Sequence, residues 1–267
     1  MTDGEREVEA LRSAHAAVIG RIASAADRAG RDPETITLVA VSKTVPAARI
    51  VQAARAGIRT FGENRVQEAQ AKQPELSSLD LVWHLVGPLQ SNKARKAIDA
   101  FDVIQTVDSV DLARRLDGLR AGLGRTLDGD PSERFPVLLQ VNVDADPAKA
   151  GLSPDAVEAA LVDVTALPNL RVEGLMTVGR LVATPDEARS TFRALRDLSA
   201  RLRGQELSLG PELSMGMSDD FEVAIEEGAT IVRVGRAIFG ERPHVHGDGP
   251  LDHRHQGRAD GPAPVVG

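Results

Sequence analysis

Lys43 is the residue in this sequence whose position most directly suggests covalent chemistry. It follows the apolar run ITLVAVS at 36–42, which has the composition of a strand buried on both faces. In a barrel of parallel strands, the carboxyl ends of the strands carry the active site. A lysine amine that is partly desolvated there becomes available in its neutral form and can make a Schiff base with a carbonyl compound. The alternative is a solvated lysine at the start of a loop, and on position alone that is the preferred interpretation.

Two segments near the end of the chain combine residues suited to binding a phosphate group. In LSMGMSDD at 213–220, Ser214 offers a hydroxyl and Gly216 permits a close backbone approach. The segment GRA at 235–237 presents backbone N–H groups at the start of a short helix, where an anion is favoured. Each segment alone is equally consistent with a tight strand-to-helix turn. We place them after strands seven and eight, where such barrels commonly hold phosphate, and therefore predict a phosphate-bearing ligand.

Two further polar residues lie inside predicted strands. Arg233, in TIVRVG, needs a partner because a buried guanidinium is costly without one. That partner is either a carboxylate such as Glu63 or Asp108, in a structural ion pair, or an acceptor on a ligand. His84, in LVWHLVG, is interpreted first as a histidine satisfied by a carbonyl group and second as a catalytic base. Both choices remain open at this point.

The elements that must position these residues alternate regularly along the chain. After an N-terminal helix over 5–29, segments with strand character alternate with helical patterns. Strict alternation predicts a parallel sheet with helical crossovers, and this number of units favours a single α/β (β/α)8 TIM-type barrel over a doubly wound sheet. The predicted strands span 36–43, 59–62, 81–86, 102–107, 136–143, 171–177, 206–209 and 230–234.

Composition narrows the possible functions. The 267 residues carry a net charge of −7 and include neither cysteine nor tyrosine, which argues against nucleic-acid binding and thiolate chemistry. No apolar run is long enough to span a membrane and the acidic start lacks a signal-peptide pattern, so we expect a cytoplasmic protein. We predict a barrel domain over 1–242 and a disordered tail over 243–267. The tail histidines could bind a metal weakly, but a solvated tail is the preferred interpretation, and we predict no metal site.

The motifs together resemble the pyridoxal phosphate homeostasis protein family, which is similar to the N-terminal barrel of alanine racemase. The resemblance runs in order over residues 5–242. It rests on VAVSKT (39–44), FGENRVQEAQAK (61–72), WHLVGPLQSNK (83–93), GLMTVG (174–179), LSMGMSDD (213–220) and VRVGRAIFG (232–240).

The resemblance implies a cofactor and assigns residues to it. It implies pyridoxal 5′-phosphate held by Lys43 as an imine, with Arg233 at the pyridine nitrogen. The residues implied to contact the phosphate are Ser214, Met215, Gly235 and Arg236, and those implied to line the pocket are Asn64, His84 and Met176.

Two functions from different classes fit such a site. One is a carrier that stores pyridoxal phosphate and hands it on, with apo-enzymes as candidate recipients, as a monomer without turnover. The other is a racemase-like enzyme, which needs a base on each face of the cofactor. The chain lacks the tyrosine and the second domain that alanine racemase uses, and an arginine at the pyridine nitrogen weakens the electron sink. The carrier is therefore favoured.

Overall fold

The computed structural model describes residues 1–122, 133–180, 182–205 and 207–240. The predicted tail, 243–267, lies outside the described residues. Within these ranges, no helix combines the length and apolar character needed to cross a membrane.

Eight parallel strands close into a barrel in which each strand pairs with the next along the chain and β8 pairs with β1. This confirms the predicted α/β TIM-type barrel. The strands are β1 (Thr37–Val41), β2 (Thr60–Glu63), β3 (Val82–Leu85), β4 (Val103–Val107), β5 (Phe135–Gln140), β6 (Leu170–Met176), β7 (Glu212–Met217) and β8 (Ile231–Val234).

Helices surround the barrel, and an additional one precedes the first strand, as predicted. The helices are α1 (Asp3–Arg28), α2 (Ala47–Arg55), α3 (Val66–Leu76), α4 (Ala94–Ala100), α5 (Val110–Ala121), α6 (Val157–Thr165), α7 (Arg189–Arg203), α8 (Phe221–Glu226) and α9 (Arg236–Phe239). Short 3₁₀ turns occupy Pro33–Thr35, Ser91–Lys93 and Pro185–Ala188. The additional helix α1 begins with a capping box between Thr2 and Glu5 and packs against α8, α2 and α9.

Alternation along the strands separates an interior from an exterior core. One cluster, made by Val39, Val86, Leu138, Met176 and Ile231, fills the barrel interior. The much larger cluster lies between the strands and the helices. Because strands of such a barrel are buried on both faces, they read as continuous apolar runs.

The prediction for the seventh strand was wrong. The structure has no strand at 207–209, and β7 covers Glu212–Met217 instead, inside the segment that we interpreted as a turn. The misleading signal is Gly216, which lies within β7 at φ 90°. A Cβ at this position would lie 2.5 Å from Ala224 Cβ, so the glycine reflects close packing of α8 on β7. Ser214 is therefore a strand residue.

Candidate functional site

Lys43 lies just beyond the carboxyl end of β1, where the prediction placed it. Val39 belongs to the interior cluster and Val41 packs against it, so the alternation of β1 continues toward the barrel mouth at Lys43, which is half-buried. The next residue, Thr44, has φ 65°, and its hydroxyl donates to the Lys43 carbonyl at 2.5 Å. A left-handed threonine is uncommon, and strained backbone of this kind often occurs at binding sites.

A buried ion pair supports the segment that carries Lys43. Lys72 on α3 donates to Glu63 Oε1 at 2.7 Å and to the Ser42 carbonyl at 2.9 Å, and the Ser42 hydroxyl donates to the same Glu63 oxygen at 2.7 Å. Glu63 is fully buried, and its Oε2 has no hydrogen-bond partner. Burial raises the pKa of Glu63, while the hydrogen bonds from Lys72 and Ser42 oppose that shift. Lys72 and Glu63 therefore fix the backbone immediately before Lys43.

The turn after β8 lies directly against the end of β1. A Cβ at Gly235 would lie 3.1 Å from the Val41 carbonyl oxygen, so the two backbones approach closely here. Gly235 N–H donates to the hydroxyl of Ser218, the residue after β7, at 3.3 Å. The amides of Arg236 and Ala237 are first-turn donors of α9, which a helix leaves without intrahelical acceptors. These groups lie next to the strand that leads to Lys43, and exposed backbone amides of this kind favour an anion.

Arg233 is buried among neutral partners. Its NH1 donates to Ser214 Oγ at 2.6 Å and its NH2 donates to the Thr177 carbonyl at 2.8 Å. Of the two carboxylates proposed as partners, Glu63 pairs with Lys72, and within the described ranges Arg233 forms an ion pair with neither Glu63 nor Asp108. Burial lowers the pKa of Arg233 to about 10, although the negative charge of Asp220 opposes the shift. The guanidinium thus stays charged at neutral pH.

His84 completes a chain of hydrogen bonds across the barrel interior. Its Nδ1 lies 2.7 Å from Gln105 Nε2, and Gln105 Oε1 accepts the hydroxyl proton of Ser214 at 2.6 Å. His84 is therefore satisfied by a side-chain amide instead of the carbonyl group that we expected. Burial lowers its pKa to about 4. The imidazole is uncharged at neutral pH.

The other predicted residues divide into two groups. Met176 lies in the interior cluster. Asn64 is half-buried and follows β2. Its backbone lies close to Gly87, because a Cβ on Gly87 would be 2.2 Å from the Asn64 carbonyl oxygen. Met215 belongs to the exterior core, so its side chain points away from the barrel interior. The Arg236 side chain is paired with Asp219, which leaves its backbone amide as the group nearest to the turn.

Sequence reasoning missed Gln105 and Ser218. Gln105 shares the interior face of β4 with Val103, and a polar residue on the interior face of an apolar strand is a detectable signal. Ser218 lay within the segment predicted as the turn after strand seven but was not singled out, because its contact with Gly235 depends on how that segment meets the turn after β8. Among the described residues, no cluster of His, Asp or Glu side chains is arranged to hold a metal ion.

The sequence is similar to known proteins over most of its length. A family model described as alanine racemase, N-terminal domain, matches residues 16–243. The pyridoxal phosphate homeostasis protein of Pseudomonas aeruginosa is 46% identical over 231 residues, which cover 86% of this chain and 94% of that protein. The protein of the same name from Aquifex aeolicus is 40% identical over 227 residues, covering 85% of this chain and 96% of that protein.

Solved structures give the same relationship. PipY of Synechococcus elongatus, solved with PLP bound, is 45% identical, with a TM-score of 0.71 over 82% of this chain and 100% of that chain. Alanine racemase from Corynebacterium glutamicum shares the fold at 22% identity, with a TM-score of 0.61 over 90% of this chain and 63% of that chain.

Proposed function

Because this chain belongs to the pyridoxal phosphate homeostasis protein family, we propose that it binds pyridoxal 5′-phosphate at the barrel mouth and acts in the homeostasis of this cofactor in the cytoplasm. It holds the cofactor and hands it on without substantial turnover. The observation that carries the proposal is the contact between the turn after β8 and the end of β1. This contact supports a phosphate site that lies at the same end of the barrel as Lys43.

The groups at this mouth fit the chemical parts of pyridoxal phosphate. The turn at Gly235 and the Ser218 hydroxyl suit a phosphate dianion, since backbone amides and a hydroxyl can converge on its oxygens. Lys43 supplies the amine, and Asn64, His84 and Met176 line the space between. Pyridoxal phosphate, when bound, supplies an aldehyde that an amine can hold covalently and a ring that can withdraw electrons.

Ser214 has a different task in this proposal from the one predicted for it. Its hydroxyl already donates to Gln105 and accepts from Arg233, so it orients the guanidinium. We assign the hydroxyl contact with phosphate to Ser218, and we assign the contacts at Gly235 and Arg236 to their backbone amides. Met215 contributes through its backbone only, because its side chain packs in the exterior core.

The charge state of Arg233 favours a carrier. A guanidinium that stays protonated donates a hydrogen bond to the ring nitrogen and gives it no proton. The ring then withdraws electrons weakly, and the chain contains no tyrosine to serve as a second base. Holding and exchanging the cofactor requires neither a strongly electron-withdrawing ring nor a second base.

Covalent labelling tests the binding site. We expect the purified protein to be yellow when loaded with pyridoxal phosphate, and borohydride reduction followed by peptide mapping to place the label on Lys43. K43A should remove the colour and leave the fold intact, because Lys43 contributes little to the core. K96A, at an exposed position on α4, is the matched control and should be labelled normally. Label on Lys93 or Lys149 would contradict the assignment.

Isotope exchange separates the carrier from the alternative, a racemase-like enzyme. We expect no deuterium wash-in at Cα of L-alanine or of a panel of other amino acids. We also expect transfer of pyridoxal phosphate to an apo-enzyme acceptor. Exchange near the median enzyme turnover of about 10 per second would overturn the carrier. We also propose that the protein is a monomer, and light scattering with and without the cofactor tests this.

A further inference from the structure

A directional chain of hydrogen bonds crosses the barrel interior. It runs from Arg233 on β8 through Ser214 on β7 and Gln105 on β4 to His84 on β3. All four side chains are nearly or fully buried. The hydrogen-bond chain joins Gln105 to Ser214, which lies 109 positions later in the sequence.

The direction of each bond follows from the donors available. Arg233 can only donate, so Ser214 Oγ accepts from it. The single hydroxyl proton of Ser214 is then given to Gln105 Oε1, which leaves the amide NH2 of Gln105 facing His84. Because that NH2 group can only donate, His84 Nδ1 must accept. A neutral imidazole whose Nδ1 accepts carries its proton on Nε2.

We propose that Gln105 is a positioning residue that fixes His84 as a neutral Nε2–H tautomer, so that His84 offers a bound cofactor a hydrogen-bond donor and no free base. This inference deepens the proposed function, on which its relevance to the cofactor rests. It identifies the reason why His84, a candidate second base, does not deprotonate a bound amino acid. Gln105 acts through His84 and need not touch the cofactor.

The surrounding charges agree with an uncharged imidazole. The charged member of the hydrogen-bond chain is Arg233 on β8, and the charge of Asp220, at the start of α8, acts on that guanidinium. A carboxylate bonded to Nδ1 would favour a protonated ring, but the amide of Gln105 occupies that position. Desolvation therefore dominates and lowers the pKa of His84.

Nitrogen NMR of the full-length protein without cofactor tests the tautomer directly. Long-range ¹H–¹⁵N correlations distinguish protonated from unprotonated ring nitrogens, and loss of a signal in H84N assigns it among the six histidines. At neutral pH we expect His84 to be protonated on Nε2 alone. Protonation on Nδ1, on both nitrogens, or an even mixture would overturn the proposal. Since no cofactor is present, this result is independent of labelling on Lys43.

Variants of the residues in the hydrogen-bond chain test the direction of its bonds. Q105E replaces the donor by a carboxylate and should move the His84 proton to Nδ1 or protonate both nitrogens. S214A removes the proton that orients Gln105, and it should produce a mixture of tautomers two side chains away. Q73E, the same substitution on α3, should leave the His84 spectrum unchanged. If Q105E and S214A also leave it unchanged, Gln105 does not set the tautomer.

Adding pyridoxal phosphate to the wild-type protein tests the donor role. We expect the Nε2 signal of His84 to shift more than the Nδ1 signal, since Nδ1 is already bonded to Gln105. A larger shift at Nδ1 would show that the ligand displaces Gln105, and it would contradict the assignment. If borohydride labels Lys43 and Nε2 does not shift, the cofactor site stands and the donor role of His84 fails.

Discussion

The outer and inner sides of the barrel wall near its mouth hold cations in opposite ways. Beneath the Lys43 segment, Lys72 is neutralised by Glu63 in a direct ion pair. On the other side, Arg233 is held by a hydroxyl and a carbonyl, with Asp220 acting only at longer range. An ion pair that is complete within the protein fixes backbone and has no charge left for a ligand. A guanidinium has five N–H donors, and because the two bonds to Ser214 and Thr177 involve neutral acceptors, it keeps a full charge that a ligand acceptor can use.

Breaking the Glu63–Lys72 pair should have the largest effect. K72M leaves a fully buried carboxylate without its cation, and we expect it to lower the free energy of unfolding by about 3–5 kcal/mol at pH 7. The pKa of Glu63 is already raised above its ordinary value of 4.5, and K72M raises it further. The folded state then binds more protons than the unfolded state, so stability of K72M falls as pH rises above 4.5.

Urea unfolding at pH 5 and pH 7 measures this effect. The double variant E63Q/K72M is the control, because it removes the charge that K72M strands, and it should recover most of the lost stability. Equal losses in the single and double variants would show that the pair does not stabilise the Ser42 segment through its charges.

His84, on the inner side of the barrel wall, should give the opposite pH dependence. Its pKa falls from 6.5 to about 4 on folding, so between these values the unfolded state binds more protons and stability falls as pH falls. The contribution reaches about 3 kcal/mol at the acid end of this window, at about 1.4 kcal/mol per pKa unit. We expect H84Q to unfold with a shallower acid limb between pH 6.5 and 4.

His15 provides the comparison for that measurement. It lies on α1, and burial lowers its pKa as well, although it is only half-buried. H15Q should therefore flatten the acid limb less than H84Q does. The reverse order would mean that the His84 imidazole is protonated in the folded state.

Arg233 should matter more for the ligand than for the fold. R233M removes a buried charge whose desolvation is only partly offset by neutral partners, so its loss of unfolding free energy should be well below that of K72M. Pyridoxal phosphate should bind about 10- to 100-fold more weakly, which corresponds to a charged hydrogen bond of about 1.5–3 kcal/mol. Titrations and urea unfolding on the same protein samples test both statements. Unchanged affinity, or a stability loss larger than that of K72M, would remove the contrast between the two sides.

The sequence allowed prediction of the parts of this site that depend on local pattern. Lys43 and His84 were placed correctly because each lies in or directly after an apolar strand, and strand ends converge in a barrel. Gln105 could not be recognised, since its importance comes from Ser214, which reaches it only across the closed barrel. The choice of Lys72 as the partner of Glu63, in place of Arg233, likewise depends on which face of β2 meets α3.

The seventh strand shows a different limit. Gly216 resembled a turn signal, yet it marks the close packing of the following helix α8 on β7, and Gly210, just before β7, marks another close contact. A Cβ at Gly210 would lie 2.2 Å from the Glu173 carbonyl oxygen, and one at Gly216 would overlap α8. A single sequence does not distinguish a glycine needed for a turn from one needed for close packing. That error moved Ser214 into a loop.

The smallest expected effects are those of the two serines on ligand affinity, and the two serines should differ in which ligand they affect. Ser218 contacts the turn after β8, to which we assign the phosphate. S218A should therefore weaken binding of pyridoxal phosphate by about 1.5 kcal/mol, roughly tenfold in Kd. It should leave binding of pyridoxal unchanged. Ser214 acts through Arg233, so S214A should weaken both ligands by the same smaller factor, because the ring is common to them. Absorbance titrations with the two vitamers measure all four constants. If S214A selectively weakens pyridoxal phosphate while S218A does not, Ser214 is the phosphate ligand, and Arg233 is positioned by Thr177 alone.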